Sequence, residues 1–283
     1  MESQKIYNRS FSCEFFPPKT PEGMEKLKAT SVKLKQQMNP AFFSVTFGAG
    51  GSTRDRTFDA VSQTKQASGI DVAPHLSCIG STREQLQEIL QNYRHQGIRR
   101  LVALRGDIPS GMVSAGDFNY AYELVQFIRE LHADFFHIEV AAYPEFHPQA
   151  QTATKDLQHF KNKIDAGANS AITQYFYNAD AYFRFIESIE KLGVSTAVTP
   201  GIMPINNYAS LARFSDACGA EIPRWLAKRL QAYGDDTASI QSFGADVVTD
   251  MCQRLLDAGA PGLHFYTLNQ ADTSLRIWEN LSV

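Results

Sequence analysis

Short apolar runs along the chain alternate with longer stretches in which apolar residues recur every three or four positions. Continuous apolar runs are typical of strands buried on both faces, and the longer spacing is typical of helices that pack one face against a sheet. The runs end near Glu14, Thr46, Leu76, Arg105, Ala142, Gln174, Ile202 and Tyr266. The helical stretches cover residues 22–36, 53–67, 82–96, 120–131, 154–166 and 179–192.

This alternation predicts an α/β fold of the (β/α)8 type, a TIM barrel. The chain has 283 residues, and such barrels typically need ~250. The long gap before the last run predicts extra helices near residues 208–218 and 223–233. An open doubly wound sheet is the alternative, but no GxGxxG pattern follows the first run. No linker divides the chain, so residues 1–283 are predicted to form a single catalytic domain.

Charge and composition argue against several classes of function. The formal net charge is −3 and Lys and Arg are scattered, so nothing favours nucleic acid or an anionic membrane as a partner. No apolar run approaches the ~20 residues of a membrane helix, and residues 1–10 lack the apolar core of a secretion signal. The four cysteines are far apart and have no zinc-binding spacing. We therefore expect a protein of the reducing cytoplasm.

Polar residues gather where the apolar runs end. The carboxyl ends of the strands are where a TIM barrel holds its active site, and chance would scatter such residues over both ends of the barrel. The pattern therefore predicts an enzyme. The residues concerned are Glu14, Thr46, His75, Arg105, Asp107, Tyr143, Glu145, His147 and Gln174.

Glu14 is the most informative of these residues, because it lies in an aromatic run that Pro17 ends. Alternation along a strand places Ser12, Glu14 and Phe16 on one face. Burial beside aromatic rings is expected to raise the pKa of a carboxyl group, which would let it act as a general acid near neutral pH. The alternative is a core glutamate paired with an arginine or lysine.

Two other chemistries remain open at this point. Glu14 and Asp107 could form the carboxylate pair of a glycoside hydrolase, although neither tryptophan lies at a strand end, where a sugar would stack. A metal-dependent hydrolase could draw its ligands from four scattered residues that form no HxH or HExxH motif: His75, His147, His264 and Asp107.

The helical stretch 154–166 carries a polar stripe beside its apolar one. Asp156, His159 and Lys163 are spaced by three and four residues, so they share one helix face. Such a stripe is usually a solvated face, and the alternative is a row of groups along an extended polar ligand such as a ribityl-phosphate chain. The glycine-rich segment 48–52 could present backbone N–H groups to a phosphate.

Eight segments, in order and with compatible spacing, resemble the 5,10-methylenetetrahydrofolate reductase family. They are CEFFPPKT, FFSVTFGAG, APHLSCIG, ALRGDIPSG, AAYPEFHP, KIDAGANSAITQYFYN, PGIMPI and LHFYTLN. The resemblance runs from about Phe11 to Asn269, nearly the whole chain. It implies the short bacterial form, a (β/α)8 barrel that carries non-covalent FAD and forms a homo-oligomer, a dimer or a tetramer.

The resemblance also implies a reaction. NADH or NADPH reduces the flavin and leaves, and methylenetetrahydrofolate then takes the same site and accepts the hydride. The product, 5-methyltetrahydrofolate, serves methionine synthesis. Glu14 matches the general acid that protonates N10 of the folate and opens the ring to an N5 iminium. Asp107 matches an acid beside the flavin and the pterin, Gln174 an amide that bonds the substrate, and Phe214 an aromatic that packs against the ligand.

The FAD-binding residues implied by the resemblance are Thr46, His75, Arg105, Gly106, Asp107, Ala141, Tyr143, His147, Asp156, His159 and Lys163. Arg105 and Lys163 are expected to meet the pyrophosphate and nearby oxygens. Gln270 departs from the family, because many relatives have an arginine there that meets the glutamate tail of the folate. Against the reductase stand the metal-dependent hydrolase and a non-catalytic folate or flavin binder.

Overall fold

Parallel strands form the centre of the molecule. The computed structural model describes residues 1–47, 51–107 and 116–283, with only the backbone for residues 51–54. The strands are β1 (Ser10–Phe15), β2 (Phe42–Val45), β3 (Val72–Ser77), β4 (Arg100–Leu104), β5 (His137–Ala142), β6 (Ser170–Thr173), β7 (Ala197–Thr199), β8 (Gly201–Ile202) and β9 (Gly262–Tyr266). The hydrogen-bonded order is β7-β6-β5-β4-β3-β2-β1-β9-β8, and every pairing is parallel.

The sheet closes at Pro200. β7 and β8 are consecutive pieces of one extended segment, of which β7 pairs with β6 and β8 with β9. Pro200 O between them accepts a hydrogen bond of 2.9 Å from His264 N. A Cβ atom on Gly201 would lie 2.2 Å from Thr173 O, so only glycine fits this close approach. The TIM barrel prediction is confirmed, and strand seven is interrupted where it turns from one neighbour to the other.

Helices surround the barrel and separate most of the strands. They are α1 (Pro21–Met38), α2 (Gly51–Ser68), α3 (Arg83–His95), α4 (Ala121–His132), α5 (Ala153–Asp165), α6 (Ala179–Lys191), α7 (Tyr208–Cys218), α8 (Arg224–Ala232), α9 (Thr237–Asp257) and α10 (Asp272–Glu279). The two extra helices predicted before the last strand are α7 and α8. Among the described residues, none of these helices combines the length and apolar character needed to cross a membrane.

Local sequence signals explain where helices begin. Thr20 and Thr152 are N-caps whose side chains accept hydrogen bonds from the first turns of α1 and α5. Thr82 forms a capping box with Gln85, which fixes the start of α3. Caps of this kind satisfy backbone N–H groups that have no partner within the helix.

The two faces of each strand meet different surroundings. Cys13 and Phe15 point outward into the apolar layer under the helices. A small apolar cluster lies apart from that layer, in the barrel interior, and consists of Phe42, Ala73, Val102 and Ile172. Above it, toward the carboxyl ends of the strands, lies the group around Glu14, and below it lies a buried ionic group around Glu139. The polar interior is thus divided into an upper and a lower part.

Candidate active site

A cavity of about 1170 Å³ opens at the carboxyl ends of the strands. All eleven residues that the sequence predicted for FAD line it, although they come from five different parts of the chain: Thr46, His75, Arg105, Gly106, Asp107, Ala141, Tyr143, His147, Asp156, His159 and Lys163. The glycine-rich segment 48–52 lies only partly within the described residues, so its predicted contact with phosphate falls outside them. The cavity is large and open enough to take an extended ligand.

A second cavity of about 430 Å³ adjoins the first and reaches the barrel interior. Four of the five residues predicted for the substrate line it, namely Glu14, Asp107, Gln174 and Phe214. The two cavities share His75, Leu104, Asp107, Ala141, Tyr143, His147 and Gln149. Gln270 is exposed and lines neither cavity among the described residues.

Two histidines approach one oxygen of Glu14. His75 Nε2 lies 3.2 Å and His264 Nε2 3.6 Å from Glu14 Oε2. On its other side, His264 Nδ1 shares a hydrogen bond of 2.7 Å with Ser12 Oγ. Neither Nε2 has a well-aligned hydrogen-bond acceptor among the described residues. The three side chains form one largely buried group, because the Glu14 side chain is only 16% exposed and that of His264 is fully covered.

The prediction of a raised pKa for Glu14 is wrong. Burial does act to raise the pKa of Glu14, but His75 and His264 oppose it and together hold the pKa at about 2. The carboxyl group of Glu14 is therefore ionised near neutral pH in the unliganded protein. The effect that the sequence could not reveal is the approach of two basic side chains from distant strands.

Lys163 places a half-buried cation in the larger cavity. Burial lowers the pKa of Lys163 to about 8, and the carboxylate of Asp156 opposes this shift. Lys163 Nζ donates a hydrogen bond to Ala141 O, and Asp156 Oδ2 accepts one from His147 N at 3.0 Å. An ammonium group can donate three hydrogen bonds, so Lys163 is suited to an anionic ligand.

The end of β4 brings backbone close to the junction of the two cavities. Gly106 has a φ of 88°, and a Cβ atom there would lie 2.9 Å from Ile79 Cγ2. Arg105 donates to Gly106 O at 3.2 Å and to the side chain of Gln149. Asp107 follows at the rim and lines both cavities. Burial raises the pKa of Tyr143 to about 12, and the charge of Asp107 adds to this shift.

A metal centre is not supported by the described part of the chain. His75 and His264 turn toward Glu14, and His147 receives a hydrogen bond at Nδ1 from Gln149 N. No group of three or more His, Cys, Asp and Glu side chains there has the arrangement of a metal site.

Comparison with known proteins decides the family. The sequence model described as "Methylenetetrahydrofolate reductase" matches residues 2–282, almost the entire chain. The chain belongs to the methylenetetrahydrofolate reductase family of enzymes.

Members of the methylenetetrahydrofolate reductase family are similar along the whole chain. The 5,10-methylenetetrahydrofolate reductase of Escherichia coli strain K12 is 42% identical over 282 residues, which is 100% of this chain and 93% of the relative. The enzyme of Pectobacterium carotovorum is 40% identical, with 100% and 92% coverage. A probable methylenetetrahydrofolate reductase (NADH) of Oryza sativa is 36% identical over 96% of this chain but only 48% of its own length.

Solved structures share the fold of this reductase family member at low identity. An uncharacterised protein of Clostridium thermocellum, which binds two copies of 5-methyl-5,6,7,8-tetrahydrofolic acid, superimposes with a TM-score of 0.68 at 15% identity, covering 99% of this chain and 96% of that one. A Xanthomonas albilineans dihydropteroate synthase reaches 0.53 at 10% identity, with 96% and 91% coverage. These likenesses support the barrel architecture.

Reasoning from the sequence did not assign three residues that line the smaller cavity, Tyr175, Tyr266 and Leu268. It named Ser12 and His264, but it did not place them beside Glu14, where the structure brings the three together. One signal was available, because Ser12 shares a strand face with Glu14, as His264 does with Tyr266. The pairing of β1 with β9, which brings the two strands together, could not be derived from either segment alone.

Proposed function

We propose that this protein reduces 5,10-methylenetetrahydrofolate to 5-methyltetrahydrofolate with NADH or NADPH, using bound FAD. The observation that carries the proposal is the adjacency of the two cavities. Every residue predicted for FAD lines the larger one, and the smaller one holds Glu14 and shares Asp107 with it. The proposed cofactor site and the proposed proton donor are thus next to each other.

The chemistry of the larger cavity fits FAD. Lys163 and Arg105 supply positive charge for the pyrophosphate and nearby oxygens. The rings of Tyr122 and Tyr120 stack at 5.5 Å, and those of Tyr120 and His159 at 5.1 Å, which offers an aromatic surface to a heterocycle. His159 Nδ1 is buried and has no hydrogen-bond partner among the described residues. When bound, FAD accepts a hydride from the nicotinamide and passes it to the folate.

A ping-pong order is part of this proposal. We infer that NAD(P)H and the folate take turns in the smaller cavity, because it adjoins the proposed FAD site and shares Asp107 with it. Phe214 is 47% exposed and lines this cavity, so its ring can pack against whichever ligand is present.

Glu14 acts as the general acid in this proposal, because its carboxyl group lines the substrate cavity. The carboxyl group takes up a proton from the solvent in the open cavity and donates it to N10 of the folate. The bond from the bridging carbon to N10 then breaks, leaving an N5 iminium. That cation accepts the hydride at the bridging carbon, which becomes the methyl group of the product.

Asp107 and Gln174 position the pterin. Asp107 lies at the rim where the two cavities meet, so its carboxylate can accept hydrogen bonds from the pterin and oppose positive charge there. Gln174 N is held by Ala142 O at 2.8 Å, which fixes the residue at the end of β6. Its side chain lines the substrate cavity.

The direct test is product formation. FAD-loaded protein is mixed with methylenetetrahydrofolate and NADH or NADPH under anaerobic conditions, and 5-methyltetrahydrofolate is measured by chromatography. We expect product in proportion to the NAD(P)H oxidised, and slower formation by Asp107→Asn. NAD(P)H oxidation without methylated product would contradict the proposal.

Domain organisation and assembly are further proposals. Residues 1–283 act as a single catalytic barrel domain, because both cavities are built from one ring of strands. A homo-oligomer, a dimer or a tetramer, stays a prediction that sedimentation can test.

A further inference from the structure

A single side-chain amide joins the end of β1 to the loop that follows β9. Asn269 Nδ2 donates a hydrogen bond of 2.9 Å to Phe16 O, and Asn269 Oδ1 accepts one of 2.9 Å from Phe16 N. The side chain thereby satisfies both backbone polar groups of one residue. Phe16 lies two positions after Glu14, just beyond the end of the strand.

These bonds continue the pairing between the two strands past its normal end. The β1–β9 ladder ends with Glu14 opposite Tyr266. Beyond it, Thr267 N and Thr267 Oγ1 both donate to Glu14 O, at 3.3 and 2.6 Å. The side-chain amide of Asn269 then bonds to the Phe16 backbone in place of the next backbone hydrogen bonds of the ladder. The backbone of Glu14 and that of Phe16 are therefore both held by the same short loop.

The loop must adopt an unfavourable conformation to do this. Leu268 and Asn269 have φ values of 51° and 58°, so two successive non-glycine residues lie in the left-handed region. That region costs free energy for most side chains, and asparagine tolerates it better than leucine. Thr30 Oγ1 of α1 also donates to Asn269 O, at 3.4 Å. Strain that persists because the surroundings hold it is typical of functional sites.

The strained turn places the side chain of Leu268 in the wall of the substrate cavity. Leu268 lines that cavity together with Glu14, and the amide of Asn269 fixes the turn that places Leu268 there. We propose that Asn269 is a positioning residue of the reductase, which acts through Phe16 to hold the carboxyl group of Glu14 and the side chain of Leu268 in a fixed relation. The inference rests on the proposed function, because Glu14 matters only when the folate is reduced.

The test separates positioning from mere stability. Asn269→Gly removes the side-chain amide, and glycine adopts the left-handed conformation at little cost in free energy. Asn269→Asp keeps an acceptor for Phe16 N but loses the donor to Phe16 O. Asn169→Ala is the matched control. Asn169 Oδ1 accepts a hydrogen bond of 2.7 Å from Ile138 N, so this asparagine also ties down a strand, but it lines neither cavity.

Both half-reactions of the FAD-loaded variants are followed by stopped-flow absorbance, together with the melting temperature. We expect Asn269→Gly to slow the folate half-reaction between about 10- and 100-fold, as small misplacements of a catalytic group do. Reduction by NADH should stay near the wild-type rate. The folate half-reaction of Asn269→Asp should have a rate between those of the wild type and Asn269→Gly. Asn169→Ala should lower only the melting temperature.

Four results would overturn the inference. If the Asn269 variants slowed both half-reactions equally, or lowered the melting temperature alone, Asn269 would have only a structural role. Wild-type rates in both Asn269 variants would remove its role while leaving the proposed function intact. A wild-type protein that does not reduce the folate at all would contradict the proposed function, and the positioning role would fall with it.

Discussion

At the residue scale, the behaviour of Glu14 depends on two opposing effects. Burial favours the neutral carboxyl group, whereas His75 and His264 favour the carboxylate and prevail, with a pKa of about 2 for Glu14. The sequence singled out this carboxyl group but could not predict its lowered pKa, because the histidines come from β3 and β9.

Replacement of Glu14 tests its role as the acid. Glu14→Gln should bind FAD and be reduced by NADH at the wild-type rate, because that step needs no proton from Glu14. Its folate half-reaction should fall by about 10²- to 10⁴-fold, the usual contribution of a general acid. Glu187→Gln is the control, since it removes an exposed glutamate that pairs with Lys191 and lines neither cavity. Folate reduction by Glu14→Gln at near wild-type rate would disprove the assignment.

Replacement of Lys163 tests the cofactor site. A charge-assisted hydrogen bond contributes ~1.5–3 kcal/mol, so Lys163→Met should weaken FAD binding by about 10- to 100-fold. Wild-type affinity should fall as the pH rises through about 8, where the lowered pKa of Lys163 lets the ammonium group lose its proton. Lys161→Met is the control, because Lys161 lies on the same helix but pairs with Asp165. Fluorescence titration of the apoprotein measures both effects, and a pH-independent affinity in the wild type would contradict them.

Replacement of Gln270 by arginine tests the contact with the glutamate tail of the folate. An arginine there could meet the glutamate carboxylate, and because the position is exposed the gain should be that of a surface ion pair, about 0.2–1 kcal/mol. Gln270→Arg should therefore lower the KM for the folate by up to about fivefold without changing kcat. Gln270→Met should leave KM unchanged. An unaltered KM in the arginine variant would mean that the tail is held elsewhere or not at all.

At the element scale, the strands and helices follow from local signals. The predicted strand ends lie within one or two residues of the observed ones, and α7 and α8 occupy the predicted positions. Apolar periodicity and N-caps are properties of neighbouring residues, so the sequence reveals them directly. The break of strand seven at Pro200 was not predicted, because it depends on β6 and β9 meeting the two halves of one segment. The long helix α9 was not delimited either.

A group of charged side chains around Glu139 links β4 and β5 in the lower part of the barrel. Glu139 is buried and accepts a hydrogen bond from Arg100, and His137 Nε2 lies 3.2 Å from its Oε1. Burial acts to raise the pKa of Glu139, but His137 and Arg100 outweigh it and lower the pKa below its ordinary value. The ionised Glu139, held by Arg100 and His137, therefore stabilises the folded state at pH values above the ordinary pKa of a glutamate. This stabilisation is lost as the pH falls through the lowered pKa of Glu139.

Glu139→Gln should therefore destabilise the protein near neutral pH. Loss of one partner of a buried pair costs ~3–5 kcal/mol, and we expect the lower end because the Arg100 side chain is 29% exposed. The difference from the wild type should shrink as the solution becomes acidic. Urea unfolding at several pH values measures it, and an equal difference at every pH would contradict the role of the ionised pair.

At the scale of the whole molecule, the two cavities lie at one end of the barrel and the ionic group around Glu139 lies toward the other. The two cavities meet around His75, Asp107 and Tyr143 at the carboxyl ends of the strands, as in other TIM barrels. The polar stripe of α5 was ambiguous in the sequence, and only the fold turns Asp156, His159 and Lys163 toward the larger cavity. The family resemblance implies that these three residues bind FAD, which stays a prediction, and periodicity alone could not have suggested it.

The most direct test of the account is the visible spectrum of the purified protein without oxygen, first alone, then with NADH, then with methylenetetrahydrofolate. The account predicts a flavin spectrum that bleaches with NADH and returns when the folate is added after the NADH has been removed. That sequence would demonstrate both half-reactions in one sample. A protein that FAD cannot reconstitute, or a flavin that NAD(P)H bleaches but the folate does not restore, would contradict it.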